Sequence, residues 1–307
     1  MAPLLFVTHN HRGDTHDLPL VAAVRLRCVL CASAVNLFAS GRSRFGELEI
    51  NSHESKTHRR PTWLCADLGL VDYEEAHDLQ LRLVAARNTG IVSSDILLLA
   101  EHPPVFTLGR RGGRENLTVP EILVRKAQIP IVHVERGGDI TFHGPGQLVG
   151  YPILDLRAAR LTVTGYVDRL EEVMIRTAAH WGVRATRNSL NHGIWAGGRK
   201  LGSLGIAIRR GIAFHGFALN VNVSLEPFDW INPCGLQGVK MTSLEREIGR
   251  EPRAGAQPED VRTASMQEAR QQIKSSIEEV FNVNLDLKLP PFCTFSCLGL
   301  LSGDRGK

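Results

Sequence analysis

A succession of short apolar segments, separated by glycine and proline turns, runs from about residue 63 to residue 281 and limits the fold more than any other feature. Such segments have the length typical of β-strands. The predicted strands are residues 96–100, 105–108, 130–134, 140–143, 148–154, 193–196, 201–208 and 212–221. Residues 209–211, Arg-Arg-Gly, predict a hairpin turn between the last two.

Three longer segments have the period of an amphipathic helix. Asp72, followed three residues later by Glu75, has the pattern of a capping box at the start of the first. The second has its apolar face at residues 167–181, and the third covers residues 266–281. Many strands with a few long helices predict an α/β or α+β fold, with a mixed sheet and packed helices in a single domain at residues 61–285.

The segments on either side lack this regularity. We expect residues 1–60 to be a poorly ordered leader, and the sequence does not fix whether the working protein retains it. We expect residues 286–307 to be a C-terminal tail. The leader holds eight Lys/Arg against five Asp/Glu, so a mitochondrial transit peptide is an alternative, although its acidic residues count against one. Cys28 and Cys31 lack a second pair at zinc-finger spacing, and we assign no metal there.

Composition excludes several classes of protein. The net charge is +4, of which residues 61–307 carry only +1, so nothing indicates a nucleic-acid partner. Six scattered cysteines are too few for a secreted disulfide framework, which favours the cytoplasm. No run of 18 uninterrupted apolar residues occurs, and we expect no membrane span. No P-loop or dinucleotide fingerprint is present, so we expect no cofactor.

Three stretches contain the residues suited to chemistry. RGGDITFHGPGQLVGYPILDL, residues 136–156, is rich in glycine, which lets a backbone approach a ligand closely, although structural glycines between strands explain it equally well. Lys200 lies among glycines and apolar residues, where it is either a partly desolvated acid/base group or an extended surface lysine. Cys234 lies on a turn between Pro233 and Gly235, and is the best candidate nucleophile.

Together these motifs resemble one family. The 136–156 stretch, the lysine of GRKLGSLG, the segment HGFALNVN and the cysteine of NPCG occur in the order found in the octanoyltransferases, also called lipoyl(octanoyl) transferases or the lipoate–protein ligase B family. The resemblance covers about residues 63–246 and leaves out the leader and the last twenty residues. It implies a fold like that of the biotin and lipoate protein ligases.

The resemblance also implies roles for individual residues. It makes Cys234 the catalytic nucleophile and Lys200 its catalytic partner, with no metal. The substrate-binding residues that it implies are Arg136, Gly137, Gly138, Asp139, Ile140, Thr141, Phe142, His143, Ser203, Leu204, Gly205, Gly216, Phe217 and Ala218.

The activity implied by the resemblance is transfer of an octanoyl group in two steps. The donor is octanoyl-acyl carrier protein, and the acceptor is one lysine of a lipoyl domain, in 2-oxoacid dehydrogenase complexes or the glycine-cleavage H protein. A thioester on Cys234 is the intermediate, and exchange between thioesters needs no ATP, in agreement with the missing phosphate-binding motif. We expect a monomer. Lys200 would stabilise the thiolate and later accept the proton of the attacking amine.

Two other functions remain as alternatives. An ATP-dependent lipoate or biotin ligase on the same fold would form an adenylate, but the sequence lacks the Gly/Arg-rich nucleotide loop of those enzymes. A non-catalytic module that binds carrier proteins or lipoyl domains would not need the pair of Lys200 and Cys234.

Overall fold

The computed structural model describes residues 59–250 and 263–287. The strands found there are β1 (Thr62–Leu70), β2 (Ile96–Glu101), β3 (Val105–Leu108), β4 (Ile131–His133), β5 (Ile140–His143), β6 (Gln147–Asp155), β7 (Ala185–Thr186), β8 (Gly193–Ala196), β9 (Arg199–Arg209), β10 (Ile212–Asn220) and β11 (Asn284–Asp286). The α-helices are α1 (Tyr73–Asn88), α2 (Glu121–Lys126), α3 (Val163–Ala179), α4 (Leu244–Ile248) and α5 (Met266–Phe281).

Eight strands form one mixed sheet in the order β11-β1-β2-β6-β10-β9-β8-β7. Strand β1 pairs in parallel with both β11 and β2, whereas the other neighbours are antiparallel. A smaller sheet has the order β4-β3-β5, with one parallel and one antiparallel pair. The mixed sheet with packed helices that the sequence predicts is therefore confirmed.

Both faces of the large sheet are buried. On β2, Leu97 and Leu99 pack in a cluster with α3 and α5, while Ile96, Leu98 and Ala100 pack in a cluster with α1. Successive side chains of a strand point to opposite faces, so a strand covered on both sides is apolar throughout. The uninterrupted apolar run at residues 96–100 follows from this position between two helical layers.

All eight predicted strands are present, and the first helix begins as its capping signal indicates. The Asp72 carboxylate accepts hydrogen bonds from the backbone N–H groups of Glu74 and Glu75, at 2.8 and 3.3 Å. The predicted hairpin is a two-residue turn in which Arg210 and Gly211 both have positive φ, 53° and 93°. Two adjacent positive φ values match the twist of the flanking strands.

Other elements were not predicted. Strand β1 carries Asp67 and pairs with β11, a three-residue segment that lies more than 200 residues later in the chain. The short helices α2 and α4 also lack a clear apolar period, and α3 begins at Val163, four residues before its predicted apolar face. Short polar elements acquire their structure from neighbours, so their own sequence contains little signal.

Several expectations lie outside the described residues. They are the leader up to residue 58 with Cys28 and Cys31, the loop at residues 251–262, and the tail from residue 288 onward. In the described parts of the chain, no helix has the length and apolar character needed to cross a membrane.

Candidate active site

Cys234 lies on a strained turn. The short 3-10 turn Pro233–Gly235 places it in the left-handed region, with φ 59° and ψ 22°, which non-glycine residues rarely adopt. A hydrogen bond of 2.9 Å from the Gly235 N–H to the Asn232 carbonyl closes the turn. The thiol is half-buried and lines a cavity.

Hydrogen bonds anchor the cysteine turn to Asn116 and, through it, to Asp139 of the 136–156 stretch. The Asn232 N–H donates to the Asn116 carbonyl at 2.8 Å, and the Asn116 amide donates to the Asp139 carboxylate at 2.9 Å. A Cβ on Gly235 would lie 2.9 Å from the same carboxylate, closer than real Cβ atoms approach such a group. Asp139, predicted to bind substrate, therefore does not line the cavity but supports the cysteine turn.

Lys200 is completely buried on β9, and its ammonium group has three acceptors. Nζ lies 2.6 Å from Asn191 Oδ1, 3.1 Å from the His192 carbonyl and 3.5 Å from Cys234 Sγ. A lysine ammonium has three N–H donors, so each has a partner here. Burial lowers the pKa of Lys200, while the adjacent Cys234 acts in the opposite direction. The buried position of Lys200 thus places its ammonium group next to the Cys234 sulfur.

Backbone contacts hold the two side chains together. The Lys200 N–H donates to the Lys240 carbonyl at 2.8 Å, and the Thr242 N–H donates to the Lys200 carbonyl at 2.9 Å. These bonds form an isolated parallel bridge between Lys200 and Met241, seven residues after Cys234. The segment that carries the cysteine is consequently fixed to the strand that carries the lysine.

A cavity of about 630 Å³ opens beside Cys234. This is within the usual size range of sites for small ligands. Eleven of the fourteen predicted substrate-binding residues line it: Arg136, Gly137, Gly138, Thr141, His143, Ser203, Leu204, Gly205, Gly216, Phe217 and Ala218. Three stretches that are far apart in the sequence therefore form one wall.

The alternation of β5 separates its predicted residues into two groups. Thr141 and His143 line the cavity, whereas Ile140 and Phe142 pack in an apolar cluster with Phe106 on the other side. Successive residues of a strand point in opposite directions, and on β5 only every second residue reaches the cavity. Ile140 and Phe142 do not reach the space beside Cys234.

Arg136 and His143 are buried polar groups of the cavity wall. The Arg136 guanidinium donates to the Thr107 carbonyl at 2.6 Å and to the Gly137 carbonyl at 3.1 Å, and it has no salt bridge with the described residues. His143 Nδ1 lies 2.7 Å from Gln147 Oε1. Burial lowers the pKa of His143 to about 3, so the ring stays neutral near neutral pH.

Sequence reasoning missed several residues of the cavity. They include Tyr73, Arg110, Arg111, Val149, Tyr151, Val163, Val167, Asn191, His192 and Ile206. Tyr151 also bonds His102, whose Nδ1 donates to the Val71 carbonyl at 2.8 Å and whose Nε2 accepts from the Tyr151 hydroxyl at 2.7 Å. The only available signal was indirect: a histidine in the Glu-His-Pro-Pro turn, and an Asn-His pair just before the strands that lead to Lys200.

Comparison with known proteins identifies relatives of this chain. The family model described as lipoyl protein ligase A/B catalytic domain matches residues 72–277, more than half of the chain. An octanoyltransferase of Desulfotalea psychrophila is 55% identical over 185 residues, which cover 60% of this chain and 83% of that protein. An octanoyltransferase of Alkaliphilus metalliredigens is 38% identical over 220 residues, covering 71% of this chain and 95% of the relative.

Solved structures agree on the fold. A bi-partite lipoate protein ligase of Thermoplasma acidophilum is similar with a TM-score of 0.57 and 16% identity, covering 79% of this chain and 92% of the other. A lipoate-protein ligase A bound with ATP has a TM-score of 0.56 and 16% identity, with 79% and 94% covered. At this identity the likeness concerns the fold alone. Fold, family model and close relatives together show that this chain is an acyltransferase enzyme that belongs to the octanoyltransferase family.

Proposed function

We propose that this protein transfers an octanoyl group from octanoyl-acyl carrier protein to a lysine of a lipoyl domain, through a thioester on Cys234. The observation that carries the proposal is the 3.5 Å separation of Lys200 Nζ and Cys234 Sγ at the edge of the cavity. A thiol beside a buried amine is the arrangement expected of an activated sulfur nucleophile.

The first half-reaction is an exchange between two thioesters. The Cys234 thiolate attacks the carbonyl carbon of the donor thioester, the new carbon–sulfur bond forms, and the thiolate of the carrier's prosthetic group leaves. The Lys200 ammonium stabilises the attacking thiolate by charge and by a hydrogen bond. One thioester replaces another, so no ATP or other energy source is consumed.

The second half-reaction forms an amide. Once Cys234 is acylated its charge is gone, and the larger of the influences that raise the pKa of Lys200 disappears with it. Lys200 then gives up a proton to the departing carrier thiolate, and its neutral amine can accept the proton of the attacking lysine of the acceptor domain. That lysine displaces the Cys234 thiolate, and Lys200 is returned to its charged form.

The cavity is suited to an apolar chain. Val149, Val163, Val167, Leu204 and Phe217 contribute hydrophobic side chains to its lining. At about 0.8 kcal/mol per buried methylene, the six methylenes of an octanoyl group contribute on the order of 5 kcal/mol to binding. A binding energy of this size would hold the chain in place while donor and acceptor exchange at Cys234.

The proposal includes the partners and the compartment. The donor is the acyl carrier protein, and the acceptors are lipoyl domains of 2-oxoacid dehydrogenase complexes and the glycine-cleavage H protein. The enzyme acts as a monomer in the cytoplasm, or in mitochondria if residues 1–60 are a transit peptide. The proposed mechanism uses a free thiol, so the compartment must keep Cys234 reduced.

The test is the intact mass of the protein after incubation with octanoyl-acyl carrier protein. We expect the mass of one octanoyl group on Cys234, and its transfer to an added lipoyl domain. Cys234→Ser should acquire no such stable group, whereas the control Cys65→Ser should react as the parent does. Cys65 is buried, and burial raises the pKa of its thiol to about 11.

Two outcomes would overturn the proposal. One is transfer by Cys234→Ser at the rate of the parent protein. The other is modification of the lipoyl domain by free octanoate and ATP without any carrier thioester, which would identify an adenylate-forming ligase.

A further inference from the structure

Three potential metal ligands lie close together, and one of them, His215, also lines the cavity beside Cys234. His77 comes from α1, Glu135 from the segment after β4, and His215 from β10. One ligand atom of each lies within 4.8 Å of those of the other two. In the described parts of the chain, this is the one group of three or more such side chains. We propose that His77, Glu135 and His215 bind one zinc ion.

The distances fit a tetrahedral ion. Zinc lies about 2.0 to 2.2 Å from histidine nitrogen and carboxylate oxygen, so two ligand atoms of one tetrahedral ion are about 3.4 Å apart. His77 Nε2 lies 3.0 Å from Glu135 Oε2, and His215 Nε2 lies 3.7 Å from the same oxygen. These two separations lie on either side of the ideal value. Each of them needs an adjustment of only a few tenths of an ångström, and the ligand atoms of the third pair, His77 and His215, lie within 4.8 Å of each other.

His215 has unused coordination capacity. Its side chain is 2% exposed, and neither ring nitrogen has a hydrogen-bond partner among the described residues. Its Nε2 lies 3.7 Å from Glu135 Oε2, which is too long for a hydrogen bond, and a buried imidazole that has lost its hydrogen bonds to water without forming others is costly. A metal ion would use the free lone pair of Nε2, the nitrogen that points to Glu135.

The backbone holds His215 in an unusual conformation. Its φ of 55° is in the left-handed region, although the residue is within a strand and is not glycine. Pro152 lies beside this part of β10, and the His215 N–H donates to Gln80 Oε1 at 2.9 Å. Residues in strained conformations persist where the surrounding structure enforces them, commonly at functional sites.

Helix α1 completes the arrangement. His77 and Gln80 are three residues apart and so share one face of the helix. Gln80 holds the backbone of His215, while the rings of His77 and His215 stack with centroids 5.3 Å apart and planes 18° apart. Arg209 contacts Glu135 through Oε1 at 3.4 Å, so the other oxygen, Oε2, remains directed at both histidines.

The chemistry of the set favours zinc over magnesium or calcium. Two imidazole nitrogens and one carboxylate oxygen are ligands typical of zinc sites that keep a fourth position for water, whereas magnesium and calcium prefer oxygen alone. The ion would connect α1, β10 and the residue before Arg136, three segments around the cavity. It is not needed for the acyl transfer proposed for Cys234.

Cobalt(II) provides a direct test, because tetrahedral Co²⁺ substituting for zinc has visible d–d absorption. The full chain is first stripped of metal with a chelator and then titrated with Co²⁺. We expect one equivalent to produce the d–d bands without the near-ultraviolet charge-transfer band of a thiolate ligand. That distinction separates this site from the six cysteines of the chain.

His77→Gln and Glu135→Gln should each weaken this Co²⁺ binding at least tenfold. Both side chains are partly exposed, so we expect each variant to keep the fold, and circular dichroism verifies this. The matched control is His180→Gln, because His180 also lies beside a carboxylate, 2.6 Å from Glu268, and belongs to no group of three among the described residues. The control should bind Co²⁺ as the parent does.

The inference is overturned if the parent protein shows no thiolate-free tetrahedral Co²⁺ spectrum. It is equally overturned if folded His77→Gln and Glu135→Gln retain the spectrum and affinity of the parent. Either result would leave the three side chains as a cluster with one hydrogen bond, His77 to Glu135, and a longer contact to His215. Because the readout is metal binding, failure of the acyl-transfer proposal would not affect it.

Discussion

Lys200 Nζ lies 3.5 Å from Cys234 Sγ although the two residues are 34 positions apart. The parallel bridge between Lys200 and Met241 fixes that distance through the backbone. Asn191 and His192 occupy the other two donors of the ammonium group. The ammonium group is held by three bonds at once, one of them to the sulfur, so the pair is preorganised for the two half-reactions proposed here.

Removing the amine should slow both half-reactions. Lys200→Met retains the length and apolar stem of the buried side chain but removes its charge and its proton-accepting nitrogen. General acid–base groups commonly contribute about 10²- to 10⁴-fold, and we expect a loss of octanoyl transfer in that range. Stopped assays with octanoyl-acyl carrier protein and a lipoyl domain measure it.

The matched control for this change is Lys240→Met. Lys240 is exposed and contacts Lys200 only through its backbone carbonyl, which the substitution keeps. Its rate should remain within about twofold of the parent. Equal rates for Lys200→Met and the parent would contradict the role given to Lys200.

A larger side chain in the cavity should change the preferred chain length. Ala218 lines the cavity and is nearly buried, and Ala218→Leu would occupy space next to Val149. If two methylenes of octanoate are displaced, the loss is about 1.6 kcal/mol, or roughly 15-fold in kcat/KM. Hexanoyl donors should lose much less, so the ratio of kcat/KM for the two donors is the measurement.

The control for chain length is Ala158→Leu, at an exposed position outside the cavity. It should leave the ratio of hexanoyl to octanoyl transfer unchanged. If Ala218→Leu lowers transfer of both donors equally, the acyl chain does not pass Ala218.

Acid should destabilise the protein through its buried histidines. Burial lowers the pKa of His102 to about 4 and that of His143 to about 3, against about 6.5 in the unfolded chain. Below about pH 6.5 the unfolded state therefore binds protons that the folded state excludes. The free energy of unfolding falls as the pH is lowered, by about 1.4 kcal/mol per pH unit for each histidine.

Urea unfolding between about pH 6.5 and pH 5 isolates this effect, because most carboxylates stay ionised in that window. His143→Gln should reduce the slope of unfolding free energy against pH by about 1.4 kcal/mol per unit. The slope is the informative quantity, since the substitution also changes stability at every pH. An identical slope in the variant and the parent would show that His143 is not held neutral.

The close contact between β10 and β6 is possible because residue 216 is a glycine, which has no Cβ. A Cβ on Gly216 would lie 2.2 Å from the Gly150 carbonyl oxygen, a backbone atom that cannot move aside alone. We expect Gly216→Ala to cost about 1–3 kcal/mol of unfolding free energy, as overpacking does. Gly249→Ala, where the nearest atom is 3.7 Å away, should change it by less than about 0.5 kcal/mol. Thermal unfolding of the two variants distinguishes a tight contact from an ordinary loss of glycine.

Much of the fold was predictable because its signals are local. Eight strands, the Asp72 cap and the Arg210–Gly211 turn follow from residue types within a few positions of one another. The candidate residues of the site were also visible in the sequence, since a cysteine on a turn between proline and glycine is less typical of a buried structural thiol, whereas Lys200 taken alone left two interpretations open. The spatial relationship of these residues could not be inferred from the few residues on either side of each.

Only the tertiary structure decided which residues meet. The alternation of β5 turns Thr141 and His143 to the cavity and sends Ile140 and Phe142 to another cluster, although one motif contains all four. His77, Glu135 and His215 are 58 and 80 residues apart and share no sequence pattern. Strand register and helix packing bring such side chains together, and both depend on contacts across the whole domain that no local stretch of sequence records.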